Sequence, residues 1–110
     1  FHGVIPAAHA EALSFLAHHC QAEGEWRTRA IPSRFHTMDL MPVEAVDAKA
    51  ALLAMPPLIK GYLRLGARFG EGCVIDRDFA TTDVFVILPV ERIAERYINY
   101  YGADATRFAA

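Results

Sequence analysis

Residues 84 to 88, read V-F-V-I-L, are apolar at every position rather than at every second one. No other stretch limits the fold as tightly. A β-strand points successive side chains to opposite faces. A run that is apolar on both faces therefore needs sheet neighbours at its edges and cover above and below. "DVFVILP" reads as such a strand, with Pro89 ending its pairing. "GCVIDRDF" reads as the strand before it, joined through "ATT" as a short turn. In that first strand Val74, Asp76 and Asp78 share one face, and Cys73, Ile75, Arg77 and Phe79 share the other.

This pattern poses a problem of supply. Two strands alone are marginal in water. Each large apolar side chain left uncovered forgoes about 1.5–3 kcal/mol, against a total stability of about 5–15 kcal/mol. The 110 residues offer helices but few other convincing strands. The chain is therefore expected either to pair with another copy or to find the rest of its sheet upstream of Phe1 in a longer protein. The absence of an initiator methionine, a secretory signal or a basic leader before Phe1 fits a processed or trimmed piece.

The helices follow from their boundary residues. Pro6 suits a first helical position, and "PAAHAEALSFLAHHCQA" continues with good helix formers, Leu13, Leu16 and Cys20 on one face, and Gly24 as the stop. Pro32 and Pro42 break the next stretch, leaving short extended pieces around Arg27–Ile31 and Arg34–Leu40. Asp47 is a natural N-cap for "AKAALLAM", which must end near Ala54 because Pro56 disfavours helical geometry at Met55. Pro56 and Pro57 open another helix reaching about Leu65, with Gly66 to end it. After Pro89, "VERIAERYINYY" places Val90, Ile93, Ala94, Tyr97, Ile98 and Tyr101 on one stripe, stopped by Gly102.

Composition narrows the function classes. An apolar fraction of 54% with 22% charged residues is that of a globular domain. A net charge of −2 gives no overall field for nucleic acid. No apolar run approaches the roughly 18 residues that cross a bilayer. Residues 1–110 show no repeat and no linker and are read as one portion of one domain. Cys20 and Cys73 form neither a disulfide framework nor a metal spacing and read as reduced thiols of a cytoplasmic protein. Adjacent His18 and His19 are about 100° apart on a helix, the wrong geometry for a zinc pair, and read as surface or half-buried. Arg27 and Arg29 alternate around Thr28, which suits a phosphate or ion pairs with Glu23 or Glu25.

Three strings, "EWRTRAIPSRF", "MPPLIKGYLRLGARFGEGCVID" and "DFATTDVFVILPVERIAERYINYYG", closely resemble the C-terminal part of bacterial ornithine-lipid acyltransferases. These are the hemolysin-like branch of the GNAT acyltransferase superfamily, and the resemblance covers nearly the whole chain. It implies an α+β piece, helices around a β-hairpin, taken from the C-terminal portion of a GNAT-like α/β fold. It implies transfer of a 3-hydroxy fatty acyl group from acyl carrier protein to the α-amino group of ornithine, giving a lyso-ornithine lipid. The donor is the carrier-protein thioester, or acyl-CoA, with no covalently bound cofactor and no metal. The phosphate-binding loop of such enzymes lies in the other portion, so this chain alone is expected to be inactive. Location follows as cytoplasmic, at most peripheral on the inner membrane, with the last helix as the membrane contact.

The chemistry calls for a base to deprotonate the amine, a donor for the tetrahedral oxyanion and a proton for the leaving thiolate. Lys60 and Arg64 share a helix face, while Arg68 lies past Gly66. In the light of the resemblance, Lys60 and Arg64 are candidates to meet the acidic carrier protein, its phosphopantetheine phosphate or the ornithine carboxylate. The other reading is a solvated face whose apolar stems cover the core. Asp76, Asp78 and Asp83 flank the expected turn, with Asp83 expected near the other two. Asp76 and Asp78 are candidates for ornithine's ammonium groups and Asp83 for the general base. The alternative is turn chemistry, which is the reading for Thr81 and Thr82. Ala80 tolerates a left-handed turn poorly, which leaves the turn type open. The competing function is a non-catalytic module that dimerises through its strand edge and holds an acidic partner with Lys60 and Arg64. A third is an acyltransferase for a different amino acid.

Overall fold

The computed structural model describes residues 1–91. Of the expected last helix, residues 90–101 with its stop at Gly102, all but Val90 and Glu91 lies outside the described residues. The elements are α1 (Ala10–His19), α2 (Ala48–Ala54), α3 (Pro57–Arg64), β1 (Arg68–Phe69), β2 (Val74–Asp76), β3 (Thr81–Asp83) and β4 (Val86–Ile87). This is an α+β arrangement with two small antiparallel sheets, β1–β4 and β2–β3.

Helix α1 is shorter than its run of helix formers. Pro6–His9 forms a 3-10 turn, and the α-helix ends at His19, well before Gly24. The reason is a competing sheet partner. The Cys20 carbonyl accepts Phe69 N–H at 2.8 Å, and Ala22 N–H donates to the Phe69 carbonyl at 2.9 Å. Residues 20 to 22 thus serve as an extended partner to β1, and further helical bonds are given up for these. Gly24, at φ +59°, opens a second 3-10 turn instead of closing the helix. The buried face of α1 is the expected one, with Leu13 and Leu16 fully buried and Cys20 nearly so.

The proline and capping signals hold. The Asp47 carboxylate accepts Lys49 N–H at 3.0 Å and Ala50 N–H at 3.4 Å, starting α2. Met55 leaves helical geometry ahead of Pro56, and Pro57 starts α3. Gly66 at φ +84° turns the chain into β1. The two extended pieces appear as single bridges, Arg29 beside Glu71 and His36 beside Cys73, separated by a 3-10 turn at Pro32–Arg34. Phe69 is fully buried in the core, in one cluster with Leu13, Leu16, Met38, Met55, Ile59 and Cys73.

The hairpin differs from expectation in its turn. Asp76 pairs with Thr81, Ile75 with Thr82 and Val74 with Asp83. The turn is therefore 77–80, and Thr81 and Thr82 belong to a strand. Asp76 sets this position: its Oδ1 accepts the N–H groups of Asp78 at 3.0 Å and Phe79 at 3.1 Å. Residues 1 to 3 lie along the other edge of β3. Thr82 N–H donates to the Phe1 carbonyl at 2.9 Å and Gly3 N–H to the Ala80 carbonyl at 2.7 Å. The buried Thr82 hydroxyl donates to the Gly3 carbonyl at 2.9 Å.

The V-F-V-I-L run is divided. Val84 and Phe85 leave the hairpin, and β4 joins β1 through Arg68–Ile87 and Phe69–Val86 pairs. None of residues 84 to 88 is fully buried, and Phe85 is 39% exposed. The described residues thus leave incomplete the cover that the sequence calls for.

Ala80 sits at φ +53°, the one non-glycine residue with positive φ among the described residues. An L-residue there costs about 1–2 kcal/mol, of which glycine's extra unfolded-state freedom returns about 0.4–1 kcal/mol. Ala80→Gly is expected to raise unfolding stability by about 0.5–1 kcal/mol in urea titration. A loss of stability would show that the left-handed turn is not retained in solution.

Candidate functional site

The basic stripe divides where α3 ends. Lys60 and Arg64 lie on one side of α3 and line an open groove of about 660 Å³ with Lys49, Leu52 and Leu53 of α2 and with Leu63. Arg68 belongs to β1, where its partner is Ile87. It lines a different cavity of about 560 Å³ with His18, His19, Trp26 and Arg27. The solvated-face reading thus describes Arg64, which is exposed, better than Lys60, which is half-buried.

The acidic residues also separate. Asp76 and Asp78 line a cleft of about 360 Å³ with Ser33, Arg34, His36 and Arg77. Asp83 lies opposite Val74, two register positions from Asp76's partner, and not beside Asp76 and Asp78 as the earlier turn placement implied. Its Oδ1 accepts the Thr81 hydroxyl at 2.7 Å. Asp76 takes the turn-fixing role and also lines the cleft.

Sequence reasoning missed Arg34 and His36, which line this cleft with the two acids. Arg34 Nη2 donates to the Ile75 carbonyl at 2.9 Å, which ties the 3-10 turn at residues 32–34 to β2 and places Arg34 in the same cleft lining as Asp76. No local spacing announces this, because the contact spans 41 residues. The cleft presents charges of both signs, which is the complement of a small zwitterion. Arg27 and Arg29 each lie 3.7 Å from the Glu71 carboxylate, so the ion-pair reading is right in kind but the acid is Glu71 rather than Glu23 or Glu25. The Arg29 guanidinium also lies 4.7 Å over the Phe35 ring.

The histidines and cysteines do structural work. His18 Nε2 lies 2.7 Å from the Met41 carbonyl oxygen and 3.2 Å from Asp39 Oδ1. Both partners are acceptors, so Nε2 carries the proton. Cys20 and Cys73 are free and buried. Burial pushes both thiols up, partly offset at Cys20 by Arg68 and at Cys73 by a backbone hydrogen bond. Such thiols stay protonated near neutrality and are poor nucleophiles. Among the described residues, no cluster of three or more His, Cys, Asp or Glu side chains is arranged to hold a metal ion. Nor is any described helix long and apolar enough to cross a membrane.

No protein-family model and no solved structure matches the chain. Curated proteins do. An L-ornithine N(alpha)-acyltransferase of Brucella abortus is 64% identical over 108 residues, 98% of this chain and 38% of the relative. One of Agrobacterium fabrum is 63% identical over 97% of this chain and 36% of its own length. One of Rhizobium meliloti is 56% identical over 100% of this chain and 37% of its own length. The chain thus spans little more than a third of the relatives it matches. Identity this high over nearly the whole chain makes it a homologue of one portion of these proteins, each of which is named L-ornithine N(alpha)-acyltransferase.

Proposed function

We propose that the protein carrying this chain is an N-acyltransferase that moves a 3-hydroxy fatty acyl group from acyl carrier protein to the α-amino group of ornithine, making a lyso-ornithine lipid in the cytoplasm. The single observation that carries this reading is the 56–64% identity, over 97–100% of the chain, to proteins named for acyl transfer to L-ornithine. The cleft adds chemical support. Ornithine bears one carboxylate and two ammonium groups. Asp76 and Asp78 suit the ammonium groups, and Arg34 suits the carboxylate. Lys60 and Arg64 are contacts for an anionic group outside that cleft.

The reaction is written as direct attack. The uncharged α-amine adds to the thioester carbonyl, the C–N bond forms, and the tetrahedral intermediate expels the carrier's thiolate, which takes a proton. Asp83 is the proposed acceptor of the amine's proton, with the Thr81 hydroxyl orienting its carboxylate. No cysteine nucleophile is needed, in keeping with the two buried thiols. Acyl transfer is expected from the longer protein and not from the 110 residues alone, which span under two-fifths of the relatives' length.

The test uses the protein at its relatives' length, with hydroxyacyl carrier protein and a panel of amino acids. Asp76→Asn and Asp83→Asn each keep an acceptor oxygen for the bonds that hold the hairpin while removing the charge. Asp76→Asn is expected to raise KM for ornithine about tenfold, the effect of one charged contact. Asp83→Asn is expected to lower kcat at least about 100-fold. Ornithine-independent release of the carrier's thiol would sink the proposal, and an unchanged kcat would remove Asp83 from the chemistry.

A further inference from the structure

The α2–α3 groove has a composition that neither ornithine nor the thioester requires. Leu52 and Leu53 are 40% and 73% exposed, and both line the groove with Leu63. Its charged lining residues are Lys49, Lys60 and Arg64, with no carboxylate among them. The nearest acid along α2 is Asp47, whose carboxylate is engaged at the helix N-terminus. The rest of the chain has an excess of acids, as its net charge of −2 requires, so this cationic face is local.

We propose that this face docks the protein on an anionic bilayer, with lipid phosphates between the three cations and Leu53 inserted among the acyl chains. Charge alone would suit any acidic partner. The leucines favour lipid over protein. Leu53 projects outward beside Lys49, and a protruding apolar side chain needs a receiving pocket on a protein but none on a fluid bilayer. An anionic layer over an apolar one matches cations set beside exposed leucines. This inference does not depend on which amine is acylated. It adds to the proposed function a place where a single-chain lipid product leaves the protein into a membrane.

The experiment uses the protein at its relatives' length and sedimentation with two kinds of vesicle, pure phosphatidylcholine and a 7:3 mixture of phosphatidylcholine with phosphatidylglycerol. Binding is expected to the mixed vesicles, to weaken as salt rises from low to physiological, and to be at least about tenfold weaker to the neutral ones. Lys49→Gln is expected to weaken it about fivefold, and Leu53→Ser about tenfold or more. Both residues are exposed, so thermal midpoints should not move. Three results would overturn the proposal. One is equal binding to both vesicles. Another is wild-type binding by both variants. The third is a Leu53→Ser midpoint lower by several degrees without altered binding, which would mean that the remainder of the protein covers the groove. Weaker binding of acidic carrier protein by Lys49→Gln, with vesicle binding unchanged, would likewise assign the face to that protein. Acyl transfer to ornithine is measured separately with soluble substrates, so loss of vesicle binding with transfer retained leaves the proposed function standing.

Discussion

Gly72→Ala is expected to destabilise the protein by about 2–5 kcal/mol, enough to leave a marginal fold largely unfolded. Two costs add. Gly72 lies at φ +83°, where an L-residue costs about 1–2 kcal/mol. A Cβ at this position would also fall well inside van der Waals contact of Phe35 Cε2 and Cδ2, and overpacking of this kind costs about 1–3 kcal/mol. The Phe35 ring is held in place, because Arg29 lies over it and the adjoining His36–Cys73 bridge fixes its backbone at 2.8 and 3.0 Å. Phe35→Ala offers the control. In the double variant the steric part disappears while the backbone part stays, so the two substitutions together should cost less than their sum by about 1–3 kcal/mol. Denaturant titration of the four proteins reads this directly. A Gly72→Ala variant within about 0.5 kcal/mol of the parent would mean that residues 70–72 do not hold this conformation.

How far the sequence can be read depends on the range of the interaction. Asp47, Pro56, Pro57 and Gly66 act on residues within a turn of themselves, and the helix boundaries they imply agree with α2 and α3. The end of α1 was illegible because it is decided by Phe69, some fifty residues further on, which recruits Cys20 and Ala22 as backbone partners. The hairpin turn was misplaced by the same kind of competition. "ATT" has turn composition, but Thr82 is flanked on both sides, opposite Ile75 in the β2 register and hydrogen-bonded to residues 1 and 3 across the other edge. The site was legible in its residue types and not in its grouping. Asp76 with Asp78 follows from spacing, and Lys60 with Arg64 follows from helix period. That Arg34 joins the cleft while Asp83 stands two register positions away follows from a turn at 77–80 rather than 80–82 and from a contact 41 residues apart. The unbroken apolar run from Val84 to Leu88 was the most informative string, because its cover is incomplete in the fold as well.

Ser14 is the residue whose size least suggests its weight, and Ser14→Ala is expected to cost about 2–4 kcal/mol. It is fully buried on the apolar face of α1, between Leu13 and Leu16. Its hydroxyl oxygen accepts two backbone N–H groups from the facing loop, Leu40 at 3.1 Å and Met41 at 2.9 Å. One turn further along the same helix, His18 Nε2–H donates to the Met41 carbonyl at 2.7 Å. A helix presents positions i and i+4 on one face, so these two polar side chains grip the loop that inserts Met38 into the core. Removing the Ser14 oxygen leaves two backbone donors without their partner, at about 1–3 kcal/mol each less what water can recover at the half-buried loop. The loss should be local before it is global. Hydrogen exchange at the Leu40 and Met41 amides should accelerate more than exchange within α1. Combining Ser14→Ala with His18→Ala should cost about 1 kcal/mol less than the sum, since one grip has little left to hold once the other is gone. Strict additivity, together with unchanged exchange at Leu40 and Met41, would show that the loop is anchored by Met38 packing alone.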